Sequence, residues 1–475
     1  MAPLSEDVFF STAVELNQRL VRRDFTAVEL ARAFGERLEK LGPRYNALAL
    51  SLREEALRQA HDVDRELKRG RTRGPLQGVP YGVKDLLAVA GRPTTWGAPP
   101  FAGQVFSEDA AVVRRLGKRG AILVGKLAMV SLAGGGGYRY AAASLQGAGL
   151  NPWDRSRWAG GSSSGSAAAV AAGLTPYALG SETNGSIVTP AAYCGVTGLR
   201  PTYGLVSRRG SMPLAWTMDK IGPLAHTAED CGHVLAAIAG GDGDDPGSAG
   251  RPFHFAPQFA RAIRDLRIGI APVDFEVHAA APMRAALREA VEQFRHMGAT
   301  IVEMELPDFP YSAVASTIIG AEGATSFAKL IRSAAVETLP DRRQKEGLKA
   351  GLRITAADYL QAMRVRRLIQ QAMGALMAKA DVLLAPARYT VATKVDEALD
   401  GGGAAGTGIA APGFRRLTTA GNLAGLPELV LPCGFAEGLP VAIGLTGKAF
   451  SENTLLKLGM EYQRETTHHR RKPAI

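Results

Sequence analysis

Apolar and polar positions follow three textures along this chain. Through the first part they repeat at helical spacing. Val28, Leu30, Ala31, Phe34, Leu38 and Leu41 form one apolar stripe, with Gly42 as its expected stop. Thr12 with Glu15, and Thr26 with Glu29, fit the capping box, in which a hydroxyl and a carboxylate satisfy opposite orphan donors at a helix start. From about residue 75 to 240, short apolar runs such as AILVGK (121–126) alternate with glycine-rich turns and short helices, the pattern of an α/β core. After the turn-rich break GGDGDDPGSAGRP (240–252), the segments RIGIAP, APMRAALREAVEQFRHMG (281–298) and TIVEMELP read as strand, helix and strand. Gly298 is the expected helix stop, and a right-handed crossover makes the two strands parallel. Long helical segments follow, ending in ADYLQAMRVRRLIQQAMGALMAKA and the strand DVLLAPA. A loop at 400–413 precedes the closing strands ELVLPCGF and PVAIGLTG. The pattern predicts one large α/β domain with a helical middle section.

Composition narrows the class. With 46% apolar and 21% charged residues, the chain has the balance of a globular protein. Its formal charge is +11, but the basic residues are spread along the sequence. The one compact basic cluster, HHRRKPAI (468–475), is expected to be a solvated end, and on this distribution no nucleic-acid partner is expected. Cys194, Cys231 and Cys433 lie far apart, which argues against a disulfide framework or structural zinc and fits a reducing compartment. MAPLSEDVFF lacks the basic start and apolar core of a signal peptide, and no run reaches the ~20 apolar residues of a membrane span. The expectation is a cytoplasmic protein with no membrane association.

The chemistry concentrates in WAGGSSSGSAAAVAAG (158–173), where a serine-rich turn runs into a helix-forming alanine stretch. Flanking tryptophans argue against a flexible linker. GGSSSGS resembles a phosphate loop, but Ser166 stands where that loop needs lysine. Gly161, Ser163 and Gly165 satisfy G-x-S-x-G, which would make Ser163 the nucleophile of a hydrolase elbow. That motif follows a polar turn here instead of an apolar strand, and none of the histidines downstream sits in a suggestive setting. A lysine can also activate serine, when burial leaves it neutral and able to accept a proton. GVPYGVKDLL (78–87) places Lys84 after an apolar, turn-bounded strand, and GSETNGSI supplies a second serine turn that contains Ser186.

GVPYGVKD, GGSSSGSAAAVAAG, GSETNGSI, CGVTGLRPTYG and NLAGLPELVLPCGF, in that order, resemble the amidase signature family of serine hydrolases. The resemblance implies a large mixed, twisted sheet surrounded by helices, in a single domain over 1–475. Within it, 1–70 would be N-terminal helices, 75–240 the signature core, 253–380 an α/β and helical section, and 381–475 closing core strands and the tail. It also implies a catalytic triad of Lys84, a bridging Ser162 preceded by a cis peptide at Gly161, and the nucleophile Ser186. Ser163 becomes a neighbour in the polar network. The backbone N–H groups of Thr183, Asn184, Gly185 and Ser186 would form the oxyanion hole, and no metal or organic cofactor is needed.

Ser181, Glu182, Asn184 and Val188 depart from the commonest form of the nucleophile motif. Family members acting on carboxylate-bearing amides often carry arginine where this chain has Val188, so valine predicts neutral, apolar or aryl substrates. The expected activity is hydrolysis of an amide, or also an ester or carbamate, by a monomer or homo-oligomer acting on a small molecule and water. The alternatives are the A subunit of a glutamine-dependent tRNA amidotransferase and a non-catalytic binding protein on the same fold. Residues 134–138, the Trp216 region and the 400–413 loop are the expected pocket walls.

Overall fold

The computed structural model describes residues 4–399 and 412–475. Its strands are β1 Leu48–Ser51, β2 Pro80–Lys84, β3 Ile122–Leu127, β4 Leu150–Asn151, β5 Asp154–Trp158, β6 Tyr177–Glu182 and β7 Thr197–Arg200. They continue with β8 Lys220–Ala225, β9 Arg267–Ile270, β10 Thr300–Glu303, β11 Val382–Pro386, β12 Glu428–Ala436 and β13 Leu439–Gly447. Eleven of them form one sheet in the order β1-β3-β2-β6-β8-β7-β12-β13-β11-β9-β10, and β4 pairs with β5 apart from it. The sheet is mixed: β2 runs parallel to β3 and β6, and β9 runs parallel to β10 and β11. The β6–β8, β8–β7, β7–β12, β12–β13 and β13–β11 pairs are antiparallel. β2, β3, β6 and β8 are buried along their whole length. Strands covered on both faces read as apolar runs and not as alternating ones.

The strand–helix–strand unit forms as its pattern predicts, with β9 and β10 in parallel register. Its helix, Arg284–His296, follows a short turn of 3-10 helix, and Gly298 ends it at φ +95°. Both N-terminal capping boxes are present. Gly42 does not stop its helix in a left-handed turn. Its φ is −53°, and the left-handed residue is Asn46, at the end of the following turn. Gly42 is needed for space instead, because a Cβ there would lie 2.9 Å from Leu48 Cβ.

The serine–alanine stretch is the helix Ser164–Ala171, and all eight residues are buried. Its small side chains have a packing reason. A Cβ on Gly165 would lie 2.6 Å from the backbone of both Ala47 and Ala128. The helix therefore presses its first turn against the loops that precede β1 and follow β3.

The helical middle section comprises Tyr311–Ser326, Ala328–Ile331, Arg342–Gly351 and Ala356–Lys379. No described helix is long and apolar enough to cross a membrane. The basic tail is not simply solvated. The Arg471 guanidinium lies 3.8 Å over the Phe435 ring, and Lys472 both sits over Phe10 and pairs with Asp7 at 3.1 Å. Both residues stay exposed, and their stems and charges rest against these rings while the heads remain hydrated.

Candidate active site

Lys84 ends β2, and at that point the neighbouring segments bring hydroxyls to it. Its Nζ donates to Ser162 Oγ at 2.7 Å, to Ser181 Oγ at 3.0 Å and to Ser181 O at 3.4 Å. Lys84 is wholly buried, and no carboxylate pairs with it among the described residues. Burial drives its pKa from the ordinary 10.5 to about 7, against the opposing pull of Asp219 and Glu182. An amine at that pKa is neutral in a large fraction of molecules near neutral pH, so it can accept a proton.

Ser162 is buried, and the Gly161–Ser162 peptide is cis. Ser186 stands on the turn between β6 and the helix Val188–Cys194, and its carbonyl accepts from Ser163 N–H at 3.2 Å. The Ser162 and Ser186 hydroxyls are not hydrogen-bonded to each other in this structure. Ser186 is the member of the three that lines a cavity of about 670 Å³, together with Thr183, Asn184 and Gly161. Ser163 points elsewhere: it is fully buried, and its Oγ donates to Ser181 O and accepts from Ser181 N–H, each at 3.2 Å. That geometry does not suit an elbow nucleophile, which must face its substrate.

The turn that carries Ser186 is shaped by an ion that motif reasoning noted only as a departure. One oxygen of Glu182 accepts from Ile187 N–H at 2.8 Å and Val188 N–H at 3.0 Å. The other accepts from Arg200 at 2.8 Å and Asn422 at 2.8 Å. Burial alone would raise the Glu182 pKa, but Arg200, Lys220 and the Val188 N–H hold it at about 2. Fixed as an anion, it folds the backbone around Gly185, whose φ of +91° suits glycine. The N–H groups of Thr183, Asn184, Gly185 and Ser186 are then left without an acceptor among the described residues. Thr183 Oγ1 donates to Asp219 at 2.6 Å, which holds the first of these residues in place. Ser181, Glu182 and Asp219 are the supporting residues that sequence reasoning left without a role. A signal existed for the first two, since both sit at varied places of the motif.

The predicted pocket walls divide. Gly134, Gly136, Gly137 and Tyr138 line the cavity with Ser186. Trp216 lines two neighbouring cavities instead. Of the 400–413 loop, residues 400–411 lie outside the described residues. Val188 is 1% exposed and is not part of the cavity wall, so its apolar side chain does not set the substrate's polarity.

The family model for Amidase matches residues 29–456. The chain belongs to the Amidase family. Among its relatives, the A subunit of the glutamyl-tRNA(Gln) amidotransferase of Chloroflexus aggregans is 37% identical, with 99% of each chain covered. The protein of the same name from Moorella thermoacetica is 36% identical, again with 99% of each chain covered. Among solved structures, the peptide amidase of Stenotrophomonas maltophilia superposes with a TM-score of 0.85 at 31% identity, covering 98% of each chain. The large mixed sheet surrounded by helices is thus that of amidase signature enzymes. The activity class of the family is amide C–N chemistry, and these relatives favour the amidotransferase reading over hydrolysis of neutral small amides.

They also overturn the expectation of no nucleic-acid partner in a monomer or homo-oligomer. The relatives are, by name, one component of a multi-subunit enzyme directed at glutamyl-tRNA. A spread of basic residues argues against phosphate contacts made by this surface alone. It carries no information on a partner reached through an assembly.

Proposed function

We propose that this chain is the amide-hydrolysing subunit of an amidotransferase, releasing ammonia from glutamine in the cytoplasm for use on glutamyl-tRNA by partner subunits. The observation that carries the chemistry is the buried Lys84, 2.7 Å from Ser162 Oγ and with its pKa at about 7. Neutral Lys84 takes the proton of Ser162 while Ser162 takes that of Ser186. The Ser186 oxygen then attacks the amide carbonyl, and the developing oxyanion accepts from the N–H groups of residues 183–186. As the C–N bond breaks, the proton returns through Ser162 to the leaving nitrogen. Water hydrolyses the acyl-enzyme by the same route. Each step moves one proton along a chain of hydroxyls, so negative charge builds up only at the oxyanion site. The whole chain would act as one catalytic unit.

The assembly part of this reading is supported by relatives that cover 99% of this chain. A second reading, a free-standing amidase that also accepts esters or carbamates, is supported by the likeness to the peptide amidase. Purification of the tagged chain from its own cells decides between them. The first reading expects copurifying subunits, with glutamine-dependent ammonia release that rises in their presence. A lone chain with full activity on peptide or aryl amides would overturn it.

A further inference from the structure

The cavity that Ser186 faces is rich in cations and poor in anions. Arg343 and Arg388 both line it, and no aspartate or glutamate does so among the described residues. Arg388 follows β11, and its Nε is buried with no hydrogen-bond partner. What lies against its guanidinium is an aromatic ring, that of Tyr193, at 5.7 Å. Trp158, 6% exposed, lines the same cavity, and its Nε1 is also buried without a partner. The two are linked through Tyr193, whose ring meets Trp158 edge-on at 6.2 Å. Tyr138 also packs edge-on against Trp158, at 6.1 Å. An indole N–H and a guanidinium can only donate. The Trp158 Nε1 and Arg388 Nε are themselves enclosed by protein, but Arg388 as a whole is only partly buried. A guanidinium that lines the cavity with no counter-ion among the described residues calls for an anionic acceptor.

We propose that Arg388, held against the Tyr193 ring, anchors a carboxylate carried by the amide substrate, so that this enzyme selects acidic amides. The proposal rests on reading the cavity as the amide-hydrolysing site. It also assigns the cation that the sequence lacks at position 188 to a residue reached from a distant strand. Glutamine fits this class, and so does any short amide with a carboxylate at a similar reach.

The test compares succinamate with its neutral counterpart succinamide, by ammonia release from the full chain with any subunits that copurify. In parallel, succinamate binding to the Ser186→Ala protein is measured by calorimetry. The wild type should favour succinamate in kcat/KM by at least about tenfold. Arg388→Gln should lower that ratio by roughly 10- to 100-fold, the range for a hydrogen bond to a charged group. Arg388→Lys should restore part of it. The Ser186→Ala protein should bind succinamate, and adding Arg388→Gln should weaken that binding by a similar factor. Equal loss on both substrates, or an unchanged ratio, would overturn the anchor while leaving the hydrolytic reading intact. Absence of succinamate binding to Ser186→Ala would overturn it too. Arginine-dependent binding without ammonia release from either amide would overturn the hydrolytic reading and leave the anchor standing.

Discussion

Lys84 and Lys126 stand one rung apart on the parallel strands β2 and β3, and both are fully buried. Their surroundings differ in one respect. Lys126 meets the carboxylate of Asp85 at 2.8 Å and donates to Pro93 O at 2.8 Å. Lys84, the residue before Asp85, points to the other face of the strand and meets only hydroxyls and one carbonyl. Burial lowers both pKa values, but beside Lys126 the Asp85 charge opposes it directly. The pairing makes Lys126 a structural cation. Its absence leaves Lys84 with a lowered pKa, which suits the base role proposed for it. In the β2–β3 register Lys126 lies opposite Val83 and Lys84 opposite Leu127, so strand alternation turns the two lysines to opposite faces. Asp85, just past the end of β2, pairs with Lys126.

The largest effect expected from breaking this arrangement is at the nucleophile. Ser186→Ala should lower turnover by about four orders of magnitude or more, as removal of other serine nucleophiles does. Ser163→Ala should keep most activity and cost about 1–3 kcal/mol of stability, because Ser181 N–H loses its buried acceptor. Steady-state kinetics and thermal melts on the pair check this. Next comes the base: Lys84→Met should cost roughly 10²- to 10⁴-fold in kcat and abolish the pH limb described below.

On the other side of the comparison, Asp85→Ala should destabilise the fold by about 3–5 kcal/mol, because it leaves Lys126 as an uncompensated buried charge. Denaturant unfolding of Asp85→Ala and of the double variant with Lys126→Met measures that. The double variant should recover much of the loss.

The smallest effect sharpens the contrast. Ser181→Ala removes one acceptor from the charged form of Lys84, so the Lys84 pKa should fall further. In the proposed mechanism the neutral amine is the active form, so the rising limb of the rate profile should move to lower pH, with kcat changed by less than about tenfold. A kcat–pH profile of the variant beside the wild type reads that shift.

Much of this site was legible in the sequence, and the reason is local. Lys84, Ser162 and Gly185 lie in short motifs, and it is the resemblance of those motifs, in order, to a known family that brings them into view. The serine turn read by itself left Ser163 in contention. The strand–helix–strand unit at β9 and β10 was legible from its own pattern, since helical and strand periods alternate cleanly there. Arg388 was not. It reaches the cavity from just past β11, far along the chain from the serine turns, and sequence reasoning looked for a cation at Val188 instead. Strand order is set by long-range packing, which periodicity does not encode. Gly42 caps its helix, and Arg471 and Lys472 of the basic tail are exposed, as their local patterns predict. Their neighbours, Leu48 in one case and the rings of Phe10 and Phe435 in the other, are tertiary and were not legible.

The central claim is that a neutral Lys84 activates Ser186 through Ser162. It is tested most directly by trapping the serine with a fluorophosphonate, whose reaction needs no knowledge of the substrate. The trapping rate is followed against pH in the wild type and in Lys84→Met, and mass spectrometry locates the adduct. One adduct is expected, on Ser186, with a wild-type rate that rises through a single ionisation near the Lys84 pKa of about 7. In a folded Lys84→Met protein that limb should be lost. An adduct on Ser163, or the same limb persisting in Lys84→Met, would contradict the claim.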